Sequence, residues 1–267
     1  MSSAISSICW IPGSETEFFV TFECGKVLSF DKDREDKAID VNAESSDIII
    51  RKFGRSDKFN PVSMWNTHGA KPSSLSFSFD CNSFAMTTKR GEIIILDYAA
   101  ERITDIFHGY FGGITCLSWS PDGKYFITGG EDDLVTIWSF SNKKIIARCH
   151  GHSSFVSSVS FDKRNCDGNS ISFVSVGFDG NLIFWKFTEH LLHRPRSLSL
   201  LKRELLAISL DAERIDHPVL ERDKVPTLEP TFVIKICDFP LSSVSFDEDI
   251  IAISTKTGQV KLFKKEE

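Results

Sequence analysis

Gly109-Tyr110-Phe111-Gly112-Gly113, Ile114-Thr115-Cys116-Leu117-Ser118-Trp119 and Ser120-Pro121-Asp122-Gly123 open the stretch on which the reading of the fold turns. It continues through Ile127-Thr128 to Glu131-Asp132-Asp133 and closes on Leu134-Val135-Thr136-Ile137-Trp138. β-Branched and aromatic residues suit a pleated surface, whereas Pro, Asp and Gly interrupt it, so three short antiparallel strands are predicted here. A meander of three strands leaves both of its faces uncovered. It needs neighbours of its own kind.

The rest of the chain supplies them at a period of about 40 residues. Gly151-His152 opens a second unit as Gly109-Tyr110 opens the first, and Ser175, Asp179 and Trp185 keep the offsets of Thr128, Asp132 and Trp138. Weaker copies bring the total to five units, at 5–30, 73–98, 109–140, 151–187 and 241–263. Strand-like pieces at 61–65, 102–107, 143–148 and 231–237 connect them, each an outer strand leading to the next inner one. Four strands per repeat of this length predict an all-β chain folded as one β-propeller domain over 1–267. Two segments break the period. Residues 31–60 open on the charge run Asp31-Lys32-Asp33-Arg34-Glu35-Asp36-Lys37, read as a solvated loop before a strand near 48–52. The insertion 188–230 holds Leu198, Leu201, Leu205 and Ile208 at helical spacing, which predicts a short amphipathic helix.

Five inner units meet only four connecting strands, so the last sheet is expected to expose an edge that natural sheets protect. Either the ring needs blades or an edge strand from elsewhere, or five blades close with a three-stranded last one.

At 267 residues and a net charge of -6, with a quarter of the residues charged, the chain has a mildly acidic surface that disfavours nucleic acid and anionic membranes as main partners. Seven cysteines without a CxxC pair read as reduced, buried thiols, and no signal-peptide pattern opens the chain, so cytoplasm or nucleus is the expected location. Cys149, His150 and His152 fit no zinc spacing, and Glu131-Asp132-Asp133 make a poor calcium cage. With no GxSxG, GxxxxGK[ST] or HExxH motif, neither a cofactor nor catalysis is expected.

Gly151-His152 with Ser175, Asp179 and Trp185 resembles the WD-repeat pattern. The resemblance implies that those four side chains form a hydrogen-bonded chain from the blade edge to its outer strand, a structural tetrad. In the preceding unit Thr128, Asp132 and Trp138 match, but Tyr110 takes the place of His, leaving that tetrad incomplete. The stretch from Tyr110-Phe111-Gly112-Gly113 through Trp119-Ser120-Pro121-Asp122-Gly123 to His150-Gly151-His152 is more specific. With Trp10-Ile11-Pro12-Gly13 and Val225-Pro226-Thr227-Leu228, it resembles the group of fungal CreC and the dystrophia-myotonica WD-repeat protein. That group implies a seven-bladed ring with two blades ahead of this sequence, and a non-catalytic protein that binds and activates a ubiquitin-specific protease together with a second WD-repeat protein. It further implies that Phe111 and Phe155, where the relative has Trp, are partner-binding aromatics on loops leading to inner strands, and Tyr110 beside Phe111 is expected to be a partner-binding residue with them. A generic WD-repeat scaffold for another multiprotein complex is the alternative.

Overall fold

Neighbouring residues of a strand point to opposite faces of their sheet, and in this chain both faces are apolar. Phe126 and Ile127 are adjacent and both fully buried, the first among residues of the preceding repeat and the second among residues of the following one. A sheet apolar on both sides needs a sheet against each. The computed structural model shows five of them side by side in chain order, as a five-bladed β-propeller, and describes residues 3–37, 49–52, 58–67, 70–166, 170–188, 215–247 and 250–264.

The first blade holds β1 (Ile5–Trp10), β2 (Glu17–Phe22) and β3 (Lys26–Asp31). Next come β4 (Glu35–Asp36), β5 (Ile49–Lys52), β6 (Phe59–Asn60) and β7 (Ser63–Asn66). β7 and then β5 extend the first sheet, while β4 and β6 form a small parallel pair, so the charge run contains a short strand as well as loop. The second blade has β8 (Pro72–Phe77), β9 (Ser83–Thr88), β10 (Glu92–Asp97) and β11 (Arg102–His108). The third has β12 (Ile114–Trp119), β13 (Tyr125–Gly130), β14 (Leu134–Ser139) and β15 (Lys144–His150). The fourth starts with β16 (Val156–Phe161), β17 (Ser170–Gly177) and β18 (Asn181–Thr188). After the insertion strands β19 (Ile215–His217) and β20 (Thr227–Leu228), β21 (Phe232–Lys235) completes it. The fifth is β22 (Leu241–Asp247), β23 (Ile250–Thr255) and β24 (Val260–Lys264), a three-stranded sheet.

Each inner strand carries a bulge after its first paired residue, at Ile5/Ser7, Pro72/Ser74, Ile114/Cys116, Val156/Ser158 and Leu241/Ser243. The unpaired residue is Ser or Thr all five times: Ser6, Ser73, Thr115, Ser157 and Ser242. Its hydroxyl re-engages the second strand, as in Thr115 Oγ1 to Gly129 O at 3.0 Å, Ser157 Oγ to Val176 O at 3.1 Å and Ser6 Oγ to Thr21 Oγ1 at 2.7 Å. A bulge bends and twists its strand. Repeated at one position, it curves every inner strand alike.

Four apolar clusters lie between the five sheets. The inner strands pack in series, β1 on β8, β8 on β12, β12 on β16 and β16 on β22, and among the described residues no comparable packing joins β22 to β1. Side-chain exposure follows from this. Leu117 of β12 is 8% exposed, but its counterpart Ile8 in β1 is 59% exposed; Val135 of β14 is fully buried, but its counterpart Val260 in β24 is 66% exposed. The helix expected at 198–208 lies outside the described residues.

Candidate functional site

In an antiparallel meander the loop entering the first strand and the turn between the second and third strands lie at the same end. Backbone bonds join the two in successive blades: Lys89 N to Lys71 O, Glu131 N to Gly113 O, Phe178 N to Phe155 O and Lys256 N to Pro240 O, each at 2.9 Å. The loops at 109–113, 151–155 and 236–240 therefore open onto one face. Close backbone approach fixes the first of them: Gly91 has φ +82°, and a Cβ there would sit 2.7 Å from the Gly112 carbonyl oxygen. Only glycine fits that contact at that backbone angle.

Each of these loops presents one phenylalanine to solvent. Phe111 is 71% exposed and Phe155 43%. Phe239, 56% exposed and two residues ahead of β22, is the third. The Phe155 ring leans on Phe178 at 6.0 Å, and Lys256 Nζ lies 3.8 Å from the centre of the Phe178 ring. Tyr110 is held differently. Its hydroxyl donates to Leu220 O at 2.7 Å, and the guanidinium groups of Arg148 and Arg222 lie 5.7 Å and 5.3 Å from its ring centre. Arg222 also lies 5.2 Å from the centre of Phe111.

Behind these loops stand the tetrad residues. In the fourth blade Trp185 Nε1–H donates to Ser175 Oγ at 2.8 Å, Ser175 Oγ meets His152 Nε2 at 2.7 Å, and His152 Nδ1 meets Asp179 Oδ2 at 3.0 Å. Every donor has an acceptor when the imidazole is neutral with its proton on Nδ1. Asp179 also accepts from Ser153 N at 3.0 Å and Asn181 N at 3.1 Å. Burial pushes its carboxyl pKa up, but these bonds and that from His152 outweigh it and leave the pKa below the ordinary value. In the third blade Trp138 Nε1–H donates to Thr128 Oγ1 at 2.9 Å. Tyr110 turns away to Leu220, and a small cavity lined by Tyr110, Thr128, Asp132 and Trp138 occupies the place of the imidazole. Burial raises the Asp132 pKa.

The insertion contributes what sequence reasoning did not supply. β19 pairs parallel with β11, and β20 pairs parallel with β15, so residues 215–228 lie along the outer edges of the second and third blades. Asp105 latches them, accepting from His217 Nε2 at 2.7 Å and from Lys143 Nζ at 2.9 Å. Val225 enters the apolar cluster between those two blades. Arg222 arrives over Phe111 on this strap. Phe239 had a usable signal, since it immediately precedes a Pro-Leu opening of a repeat; the position of Arg222 had none, because it depends on pairing across a long insertion.

The family profile described as "WD domain, G-beta repeat" matches residues 101–139 and 143–186. UBP9-binding protein bun62 of Schizosaccharomyces pombe is 32% identical over 99% of this chain and 56% of its own length. The WD repeat-containing protein 20 homolog of Caenorhabditis elegans is 31% identical over 61% of this chain and 23% of its own length. The chain thus spans about half the length of the first and about a quarter of the second.

Proposed function

We propose, from the match of residues 101–139 and 143–186 to the WD-repeat profile, that this chain is a non-catalytic adaptor that binds and activates a ubiquitin-specific protease through the loop face bearing Phe111 and Phe155. The observation that carries this reading is the pair of exposed rings on matching loops of adjacent blades, each backed by a rigid sheet. Solvent-exposed phenylalanines held on short, bonded loops lose little conformational entropy on docking, which suits them as binding anchors. The name of the fission-yeast relative, a UBP9-binding protein, supports a protease of that type as partner. Tyr110 serves this face indirectly, because its hydroxyl and ring are already engaged by the strap. A second WD-repeat protein completes the activating assembly in this reading, which is set in the cytoplasm or nucleus.

The test is affinity of the full chain for a ubiquitin-specific protease of the UBP9 type from the same organism, measured by titration calorimetry. Phe111→Ala with Phe155→Ala is expected to weaken binding about 100-fold, as two anchors of ordinary strength would, with an unchanged unfolding midpoint. A folded double variant that binds and activates like wild type rejects this face.

A further inference from the structure

We infer that the strap makes this face selective for acidic segments: Arg222, seconded by Arg148, forms a carboxylate-binding site beside Phe111, so the docking segment places an apolar side chain on the Phe111 ring and an Asp or Glu on the guanidinium. The inference rests on the reading of this face as the protease-binding surface.

Two arginines meet at one aromatic ring. The Arg148 and Arg222 guanidiniums flank Tyr110, and Arg148 Nη2 donates to Arg222 O at 2.8 Å. Such a pair of cations is normally matched by acid. Here, among the described residues, no carboxylate lies within ion-pair distance of either guanidinium. Of the acidic side chains around them, Glu131 Oε2 accepts from Gly113 N at 3.0 Å and Glu221 pairs with Lys224, while Asp223 and Asp133 form no ion pair with either arginine. Asp132 feels the Arg222 charge without pairing with it, and its carboxylate accepts from Leu134 N. Arg148 Nε is also buried without a hydrogen-bond acceptor, so part of the donor capacity of the pair is unmet. The two guanidiniums therefore keep donor capacity that no carboxylate among the described residues takes up.

Arg222 is also pre-positioned. Its carbonyl accepts from Arg148, as above, and from Val225 N at 3.3 Å, Val225 is anchored in the core, and the strap is latched at Asp105 and His217. A guanidinium stacked on an aromatic ring keeps its planar fork of donors free at the edge, the geometry that takes a carboxylate. Phe111 beside it offers the apolar half. An acidic residue next to an apolar one satisfies both at once, and a basic segment is repelled.

The experiment measures affinity of the full chain for the same protease at low and high salt. Arg222→Met keeps an unbranched side chain and removes the charge; Arg222→Lys keeps a charge and loses the fork. Arg222→Met is expected to weaken binding about tenfold at low salt and to flatten the salt dependence, with Arg222→Lys restoring part of both. Wild-type affinity and salt dependence in Arg222→Met, alongside loss of binding in Phe111→Ala, overturns the arginine site and leaves the aromatic face standing. Wild-type binding in both variants overturns both readings.

Discussion

Asp179→Ala is expected to remove about 3–5 kcal/mol of folding stability, because it takes the partner from a buried imidazole N–H and the acceptor from two backbone N–H groups at once. The carboxylate accepts from His152 Nδ1, Ser153 N and Asn181 N, and the His152 and Asp179 side chains are both almost completely buried. Alanine leaves an imidazole N–H without an acceptor in an enclosed space, and the loop that carries Phe155 loses its side-chain ties to the 178–180 turn and keeps the backbone bond from Phe178 N to Phe155 O. Denaturant titration checks the magnitude. The pH dependence has a definite sign. The folded pKa of Asp179 lies below its unfolded value, so its contribution is fully present above the ordinary Asp pKa of about 3.9 and is lost as pH falls through the lower folded value. Wild-type stability should therefore fall in acid, and Asp179→Asn should lose that component of the fall. An acid profile that is the same in both proteins contradicts the account.

Phe126→Ala is expected to cost about as much, roughly 3–5 kcal/mol, by a different route. The ring is fully buried, stacks on Trp138 at 5.8 Å and 9°, and meets Phe107 at 5.5 Å and Trp119 at 5.2 Å. Those partners sit on three different strands of two blades, each fixed by its own ladder, so the cavity cannot collapse around alanine. The denaturation midpoint should move while the slope with denaturant stays constant. Phe155→Ala, exposed on its loop, serves as the comparison and should leave the midpoint nearly unchanged. A loss below about 1 kcal/mol in Phe126→Ala would mean that the interface between the second and third blades repacks freely.

The architecture was legible because a propeller repeats its chemistry. The offsets from Ser175 to Asp179 to Trp185, and the same offsets from Thr128, reflect one backbone geometry used twice, and the Pro121-Asp122-Gly123 turn marks where a strand must end. The hydroxyl residue at the bulge, Ser6, Ser73, Thr115, Ser157 and Ser242, was equally periodic but carries too little identity to be noticed before the register is known. The loop face was partly legible: Phe111 and Phe155 follow from resemblance, whereas Phe239 precedes a weaker repeat. The strap was not legible at all. Parallel pairing of Ile215–His217 with the second blade and of Thr227–Leu228 with the third joins residues far apart in the chain, through strands too short for a periodic pattern. The partnership of Tyr110 with Leu220 shows the effect of that blindness. A residue compared with histidine by position belongs physically to the insertion.

Val260 and Ile8 stand bare where their counterparts are covered, and this decides how the molecule should come apart. Blades that touch only their neighbours behave like coins in a roll, held by pairwise adhesion, with the outermost coin secured on one side alone. Amide exchange with deuterium should be slowest in β13 and β14, at the middle of the roll, and progressively faster toward β2 and β23. A uniform exchange rate across all five would mean that the two outermost blades clasp each other in solution.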